Sequence, residues 1–262
     1  MGNVVIYDSG VGGLTIWEAV RRQCPTLHTV FVSDNQAFPY GTKSDGELLD
    51  RIHRVVRSIA QSCAPDVLVV ACNTASTVAL PSLRAEFEFP IVGVVPAIKP
   101  AAAVTKTGKI ALLATPATVE RAYTQQLITE FAHNIDVLKI GSSRLVELAE
   151  AKLRGAKVSD ADLVPIISPI DNHSEVDVIV LACTHFPLLA DEITRYFHAR
   201  NRSITLVDSA DAIARRVASL DVSSDSEIGQ AIAVFTRQLK SDALRNGLID
   251  LGFNDIKVLD VD

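Results

Sequence analysis

Asp66-Val67-Leu68-Val69-Val70-Ala71-Cys72-Asn73-Thr74 and, far downstream, Asp177-Val178-Ile179-Val180-Leu181-Ala182-Cys183-Thr184-His185 follow one plan: an acidic start, a β-branched run, Ala-Cys, then polar groups. A continuous apolar run of this length reads as a strand buried on both faces of a parallel sheet. Each cysteine then falls where a strand ends and its loop begins, which is where open α/β sheets bind ligands. Matched thiols at equivalent places in two half-molecules imply symmetric chemistry, one group on each side of a substrate.

The repeat extends outward from the cysteines. Asn3-Val4-Val5-Ile6-Tyr7-Asp8-Ser9 opens the first half, and Lys109-Ile110-Ala111-Leu112-Leu113-Ala114-Thr115 occupies the matching place in the second. Further short β-branched runs lie at 29–32, 91–95, 137–140 and 204–207, and amphipathic stretches such as Leu48–Cys63 and Glu120–His133 carry apolar residues at helical spacing. Such alternation predicts parallel sheets with helices on both faces. The expected fold is α/β: two pseudo-symmetric domains, each a mostly parallel sheet flanked by helices, with the active site in the cleft between them. The Pro96–Pro100 stretch marks the boundary, and the chain is expected to return near Asp208, because the residues after it need a sheet to join. The domains are thus 1–96 plus 208–262, and 97–207.

The chain has 262 residues, 48% of them hydrophobic and 21% charged, with a net charge of −6. That composition is ordinary for a globular protein. The acidic balance argues against a nucleic-acid partner that depends on phosphate neutralisation. No apolar stretch approaches the roughly 20 residues needed to span a bilayer, and no leader pattern opens the chain. A cytoplasmic protein with reduced thiols and no membrane partner is expected. The four cysteines, Cys24, Cys63, Cys72 and Cys183, show no C-x-x-C spacing, so neither a zinc ribbon nor a dithiol redox site is written here.

Free cysteine is often a small buried hydrophobe, and Cys24 and Cys63, inside helical patterns, read that way. Around Cys72 and Cys183 the polar neighbours Asn73, Thr74, Thr184 and His185 offer hydrogen bonds that packing alone does not require. A helix expected directly after each cysteine would favour its thiolate. Asp8-Ser9-Gly10-Val11-Gly12-Gly13 follows the first strand and precedes a helix near Leu14. Its G-x-G-G spacing is not the G-x-G-x-x-G of a dinucleotide site, which leaves a small carboxylate held by backbone amides, or a capped tight turn. His185 is either an exposed helix-start residue or a proton-handling group beside a thiol; nothing nearby completes a metal site. The remaining histidines read as surface groups. Pro39-Tyr40-Gly41-Thr42-Lys43 is an ordered loop with a tyrosine hydroxyl and amides to offer a ligand. Glu147 and Glu150 fall on a helical stretch where most glutamates are solvated.

Taken together, Asp8-Ser9-Gly10-Val11-Gly12-Gly13-Leu14, Phe38-Pro39-Tyr40-Gly41-Thr42-Lys43-Ser44, Val70-Ala71-Cys72-Asn73-Thr74-Ala75, Ala114-Thr115-Pro116-Ala117-Thr118 and Cys183-Thr184-His185-Phe186-Pro187-Leu188 resemble the motifs of the glutamate racemases, in the aspartate/glutamate racemase superfamily. The resemblance implies cofactor-independent interconversion of L- and D-glutamate for peptidoglycan, with no metal, and a homodimer. It implies that Cys72 and Cys183 are the proton donor and acceptor, assisted by Asp8 and His185 respectively. It places substrate contacts at Asp8, Ser9, Tyr40, Gly41, Asn73, Thr74, Thr115, Thr118, Thr184 and His185. It also implies an auxiliary glutamate near the second cysteine, Glu150 by preference over Glu147. Ala114, Ala182 and Phe186 stand where many relatives have Gly, Gly and Tyr. The N-terminal extension with which some relatives bind an activator is not expected. The alternatives are a racemase for aspartate or a hydantoin, a nicotinamide-dependent oxidoreductase, and a non-catalytic amino-acid-binding module.

Overall fold

β-branched runs that cannot tolerate water on either face become parallel strands, and the amphipathic stretches between them become the helices that cover those strands. The computed structural model describes residues 2–220, 222 and 228–261; Met1 and Asp262, the ends of the expected first domain, lie outside the described residues. In chain order the elements are β1 (Asn3–Asp8), α1 (Leu14–Gln23), β2 (His28–Ser33), α2 (Asp45–Cys63), β3 (Val67–Val70), α3 (Asn73–Glu86), β4 (Ile91–Gly93), α4 (Ile98–Val104), β5 (Lys109–Ala114), α5 (Pro116–Glu120) and α6 (Ala122–Phe131). There follow β6 (Asp136–Gly141), α7 (Arg144–Leu153), α8 (Asp160–Asp171), β7 (Val178–Ala182), α9 (Ala190–His198), β8 (Thr205–Val207), α10 (Ala210–Ala218), β9 (Ala231–Phe235), α11 (Asp242–Asp250) and β10 (Asp255–Val258).

The chain divides into two compact units, Met1–Val94 with Ala210–Asp262, and Val95–Ser209. The first holds a sheet of order β10-β9-β2-β1-β3-β4 and the second a sheet of order β6-β5-β7-β8. All strand pairs are parallel. The second sheet repeats the β2-β1-β3-β4 portion of the first, which is the pseudo-symmetry foreshadowed by the two Ala-Cys runs. In each unit the strand order reverses between two central strands, β1 and β3 or β5 and β7. The loops leaving that switch point are where an open α/β sheet has room for a ligand. They carry Asp8–Gly13 and Cys72 in the first unit, and Thr115–Thr118 and Cys183–His185 in the second.

β3 and β7 are buried along their whole length, as runs without polar alternation must be. The two strands that the repeat did not place, β9 and β10, extend the first sheet beyond β2. They give the returning chain the sheet it needs. The stretch expected as one helix over Glu120–His133 is instead broken at Arg121, whose backbone is extended. The Thr124 hydroxyl takes the Thr118 carbonyl at 2.6 Å, an acceptor that a continuous helix would give to the amide of residue 122. No helix among the described residues is long and apolar enough to cross a membrane.

Candidate active site

In the first unit, Asp8 ends β1 and is fully buried, Ser9 follows it, and Cys72 caps α3. Ser9 Oγ lies 3.5 Å from Cys72 Sγ. The Ser76 amide bonds the Cys72 carbonyl at 2.9 Å, and the Ser76 hydroxyl bonds the Val70 carbonyl at 2.9 Å, so both ends of the strand-to-helix corner are pinned. The thiol therefore sits at the first turn of a 14-residue helix, where the helix dipole favours negative charge. Asn73 and Thr74 are buried in that turn, and among the described residues Asn73 Oδ1 has no hydrogen-bond partner within the protein. A buried amide oxygen left this way is suited to an N–H donor from a ligand.

The glycine loop differs from its expected role. Gly13 donates its amide to Asp8 Oδ2 at 2.7 Å, so this amide orients the carboxylate instead of facing a ligand anion. Tyr40 also differs. It is almost wholly buried in a short 3-10 turn, Tyr40–Thr42, and its hydroxyl donates to Asp34 at 2.6 Å while meeting the Tyr7 hydroxyl. Its proton is committed within the protein. Burial, then the neighbouring Asp34, push the Tyr7 hydroxyl well above its ordinary value. Burial, Tyr7 and Asp34 do the same to Tyr40.

In the second unit, Cys183 Sγ lies 3.9 Å from His185 Nδ1, and His185 Nε2 lies 3.0 Å from Glu150 Oε1. Arg154 bonds the other Glu150 oxygen at 3.0 Å. His185 is 2% exposed, which excludes the solvated helix-start role. Glu147 is exposed and paired with Arg144 at 2.8 Å, so Glu150 is the carboxylate at this site. The α-helix expected directly after Cys183 does not form. A 3-10 turn over Phe186–Leu189 comes first, closed by Phe186 N to Cys183 O at 3.0 Å and Leu188 N to His185 O at 3.2 Å. Pro187 has no N–H to extend a longer-range bond, and the tight turn brings His185 back beside the thiol. Thr115 and Thr118 are both buried. Thr115 Oγ1 accepts the Thr118 amide at 3.3 Å and capped α5 begins there. Thr184 is buried beside Cys183.

Cys24 and Cys63 are half-buried, with burial raising both thiols. That leaves Cys72 and Cys183 as the two buried cysteines. Among the described residues no cluster of His, Cys, Asp and Glu is arranged to hold a metal ion.

The Asp/Glu/Hydantoin racemase family model matches residues 14–217. The chain belongs to the Asp/Glu/Hydantoin racemase family. This racemase-family chain is 44% identical to the glutamate racemase of Vibrio campbellii over 97% of its own length and 95% of the relative's. It is 46% identical to that of Photorhabdus laumondii over 98% and 90% respectively. It superimposes on Escherichia coli glutamate racemase, crystallised with L-glutamate and the activator UDP-MurNAc-Ala, with a TM-score of 0.92 and 43% identity, covering 100% of this chain and 99% of that one. Glutamate racemase RacE1 of Bacillus anthracis matches with a TM-score of 0.83 at 26% identity, over 100% and 97%.

Two residues outside the motif reading stand out in the first unit. Asp34 and Arg51 are both buried and paired at 2.6 Å. Asp34 follows the second strand in a Ser-Asp pair, but its sequence context carries no signal that an arginine seventeen positions on turns inward to meet it.

Proposed function

We propose that this chain interconverts L- and D-glutamate without a cofactor, and supplies D-glutamate for peptidoglycan. Cys72 and Cys183 exchange thiol and thiolate states at each turnover. The observation that carries this reading is that each switch-point loop presents one buried thiol with its own polar partner: Ser9 beside Cys72, and His185 backed by Glu150 beside Cys183.

Racemisation removes the α-proton on one face and returns a proton to the other. A single base would have to cross the substrate plane; two opposed thiols need not move. In one direction the Cys183 thiolate takes the α-proton, with His185 helping to hold the charge balance, and the Cys72 thiol delivers its proton to the opposite face. In the other direction the roles exchange, with Asp8 serving the Cys72 side. Developing negative charge at the α-carbon needs preorganised donors and dipoles. Asn73, Thr74 and Ser9 in one unit, and Thr184, Thr115 and Thr118 in the other, fit that task, while the Tyr40–Gly41 backbone serves substrate binding alone. The homodimer and the cytoplasmic location belong to the same reading; the free state of all four cysteines fits a reducing compartment.

The test is incubation with L- or D-glutamate in D₂O without added cofactor. Optical activity should decay to zero, and deuterium should enter the α-position from either enantiomer. Cys72→Ser and Cys183→Ser should each abolish racemisation of both. Turnover of aspartate or a hydantoin in place of glutamate would overturn the substrate, and full activity in either cysteine variant would overturn the two-thiol chemistry. Light scattering decides the dimer.

A further inference from the structure

Asp34 is fully buried, yet it is among the most heavily bonded side chains described. Its two carboxylate oxygens accept from Arg51 Nε at 2.9 Å, Arg51 Nη2 at 2.6 Å, the Tyr40 hydroxyl at 2.6 Å and the Thr236 hydroxyl at 2.7 Å. Its own amide donates to the Asp8 carbonyl at 2.9 Å. One residue thus joins the end of β1, the Tyr40–Thr42 turn, helix α2 and the segment just after β9. The returning C-terminal chain is held over it, with Asn35 bonding the Arg237 backbone in both directions at 2.8 Å.

The directions of these bonds are forced. A carboxylate that receives a two-pronged arginine is ionised and can only accept. Tyr40 must therefore donate its single proton to Asp34, and Tyr7 must donate to Tyr40. With its proton given to Asp34, the Tyr40 hydroxyl has none left to donate to a ligand. The Tyr40 side chain is consequently tied to Asp34 and to Tyr7 of β1.

We propose that Arg51 and Asp34 are a positioning pair. Through the Tyr40 hydroxyl they fix the Tyr40–Gly41 backbone, and so set affinity for the amino-acid substrate without taking part in proton transfer. The effect on turnover rests on the racemase reading above, whereas the ordering of the turn does not.

Two conservative variants test this with the full chain. Arg51→Lys keeps the charge but not the fork, and Tyr40→Phe deletes one hydroxyl. Amide hydrogen exchange should quicken about tenfold or more at Gly41–Lys43 in both variants, as expected when local opening becomes easier, with protection in β1 and β3 unchanged. KM for glutamate should rise about fivefold or more with kcat within about twofold, the signature of lost binding common to ground and transition states. The double variant should be no worse than the worse single, because both break one linkage. Unchanged exchange in the turn of either folded variant would overturn the proposal. So would additive effects, or a fall in kcat with KM constant. If the wild-type chain proved inactive on glutamate, the exchange measurement alone would still decide whether the pair orders the turn.

Discussion

Glu150 Oε1 lies 3.0 Å from Nε2 of His185, whose other ring nitrogen faces the Cys183 thiol at 3.9 Å. A carboxylate on one nitrogen of an imidazole fixes its tautomer and its orientation. The ring can then balance charge as the neighbouring thiol ionises. Losing a charged hydrogen bond costs about 1.5–3 kcal/mol, or about 10- to 100-fold in rate. Glu150→Gln should therefore lower kcat/KM by that factor, and Glu147→Gln, on an exposed residue paired with Arg144, should leave it within about twofold. Enantiomers have equal free energy, so the equilibrium constant is one and kcat/KM must fall equally in the two directions. The asymmetry of the lesion should appear only in kcat and KM taken separately. Steady-state kinetics from both enantiomers checks this, and a Glu147→Gln defect as large as that of Glu150→Gln would reverse the assignment.

Gly13 occupies an ordinary helical φ of −61°, so its small size, not its backbone freedom, is what the site uses. A Cβ built there would meet Asp8 Cβ at 2.7 Å and Ala71 Cβ at 3.2 Å. Neither neighbour can yield, since one ends β1 and the other leads into Cys72. Gly13→Ala should cost about 1–3 kcal/mol as an overpacked core position. It should also depress activity more than stability alone explains, because it displaces the Asp8 carboxylate that the Gly13 amide holds. Thermal melts paired with kinetics below the transition would show this; a stable, fully active Gly13→Ala would contradict the close approach.

Much of this was legible in the chain because it follows from periodicity. Val67–Val70 and Val178–Ala182 are apolar without alternation, which only a strand buried on both faces allows. The repeated Ala-Cys ending is enough to place both thiols at strand ends. What escaped was tertiary. Nothing local distinguishes Glu150 from Glu147, and only the fold turns one toward His185. The Tyr40 hydroxyl reads as free until Asp34 and Arg51 are seen beneath it, a pairing between positions whose approach depends on how α2 lies on the sheet. The turn after Cys183 was readable in principle from Pro187.

Lys152 Nζ donates to the Leu188 carbonyl at 2.8 Å and to Glu192 at 2.8 Å, tying helix α7 to the turn that carries His185. Lys152→Met keeps the apolar stem but leaves the largely buried Glu192 without its cation. Because Lys152 is a third exposed, solvent screening brings the loss below the charged hydrogen-bond range, to about 1 kcal/mol. Adding Glu192→Gln should recover part of that loss by removing the uncompensated charge. Denaturant unfolding of the single and double variants tests it, and a double variant less stable than Lys152→Met would argue against the pairing.

Both pH limits of stability should trace to the cluster around Asp34. Burial alone would raise its pKa, but hydrogen bonds from Arg51, Thr236 and Tyr40 outweigh burial and hold it below its ordinary 3.8. A carboxylate depressed in the folded state contributes stability above its unfolded value, lost as pH falls through the folded one. Acid unfolding should therefore begin below about pH 4, with a shallower limb in Asp34→Asn. Tyr7 and Tyr40 are raised well above 10.0, chiefly by burial. The folded chain thus binds more protons than the unfolded chain above that value. The contribution of these groups is intact below pH 10 and declines as pH rises past it. Absorbance near 295 nm followed alongside circular dichroism should reveal Tyr7 and Tyr40 ionising only as the fold is lost, beyond Tyr196, whose hydroxyl burial and Asp171 push up to about 12, and one fewer in Tyr40→Phe. Ionisation of all tyrosines near pH 10 in a chain that stays folded would mean that Tyr7 and Tyr40 are not sealed from water.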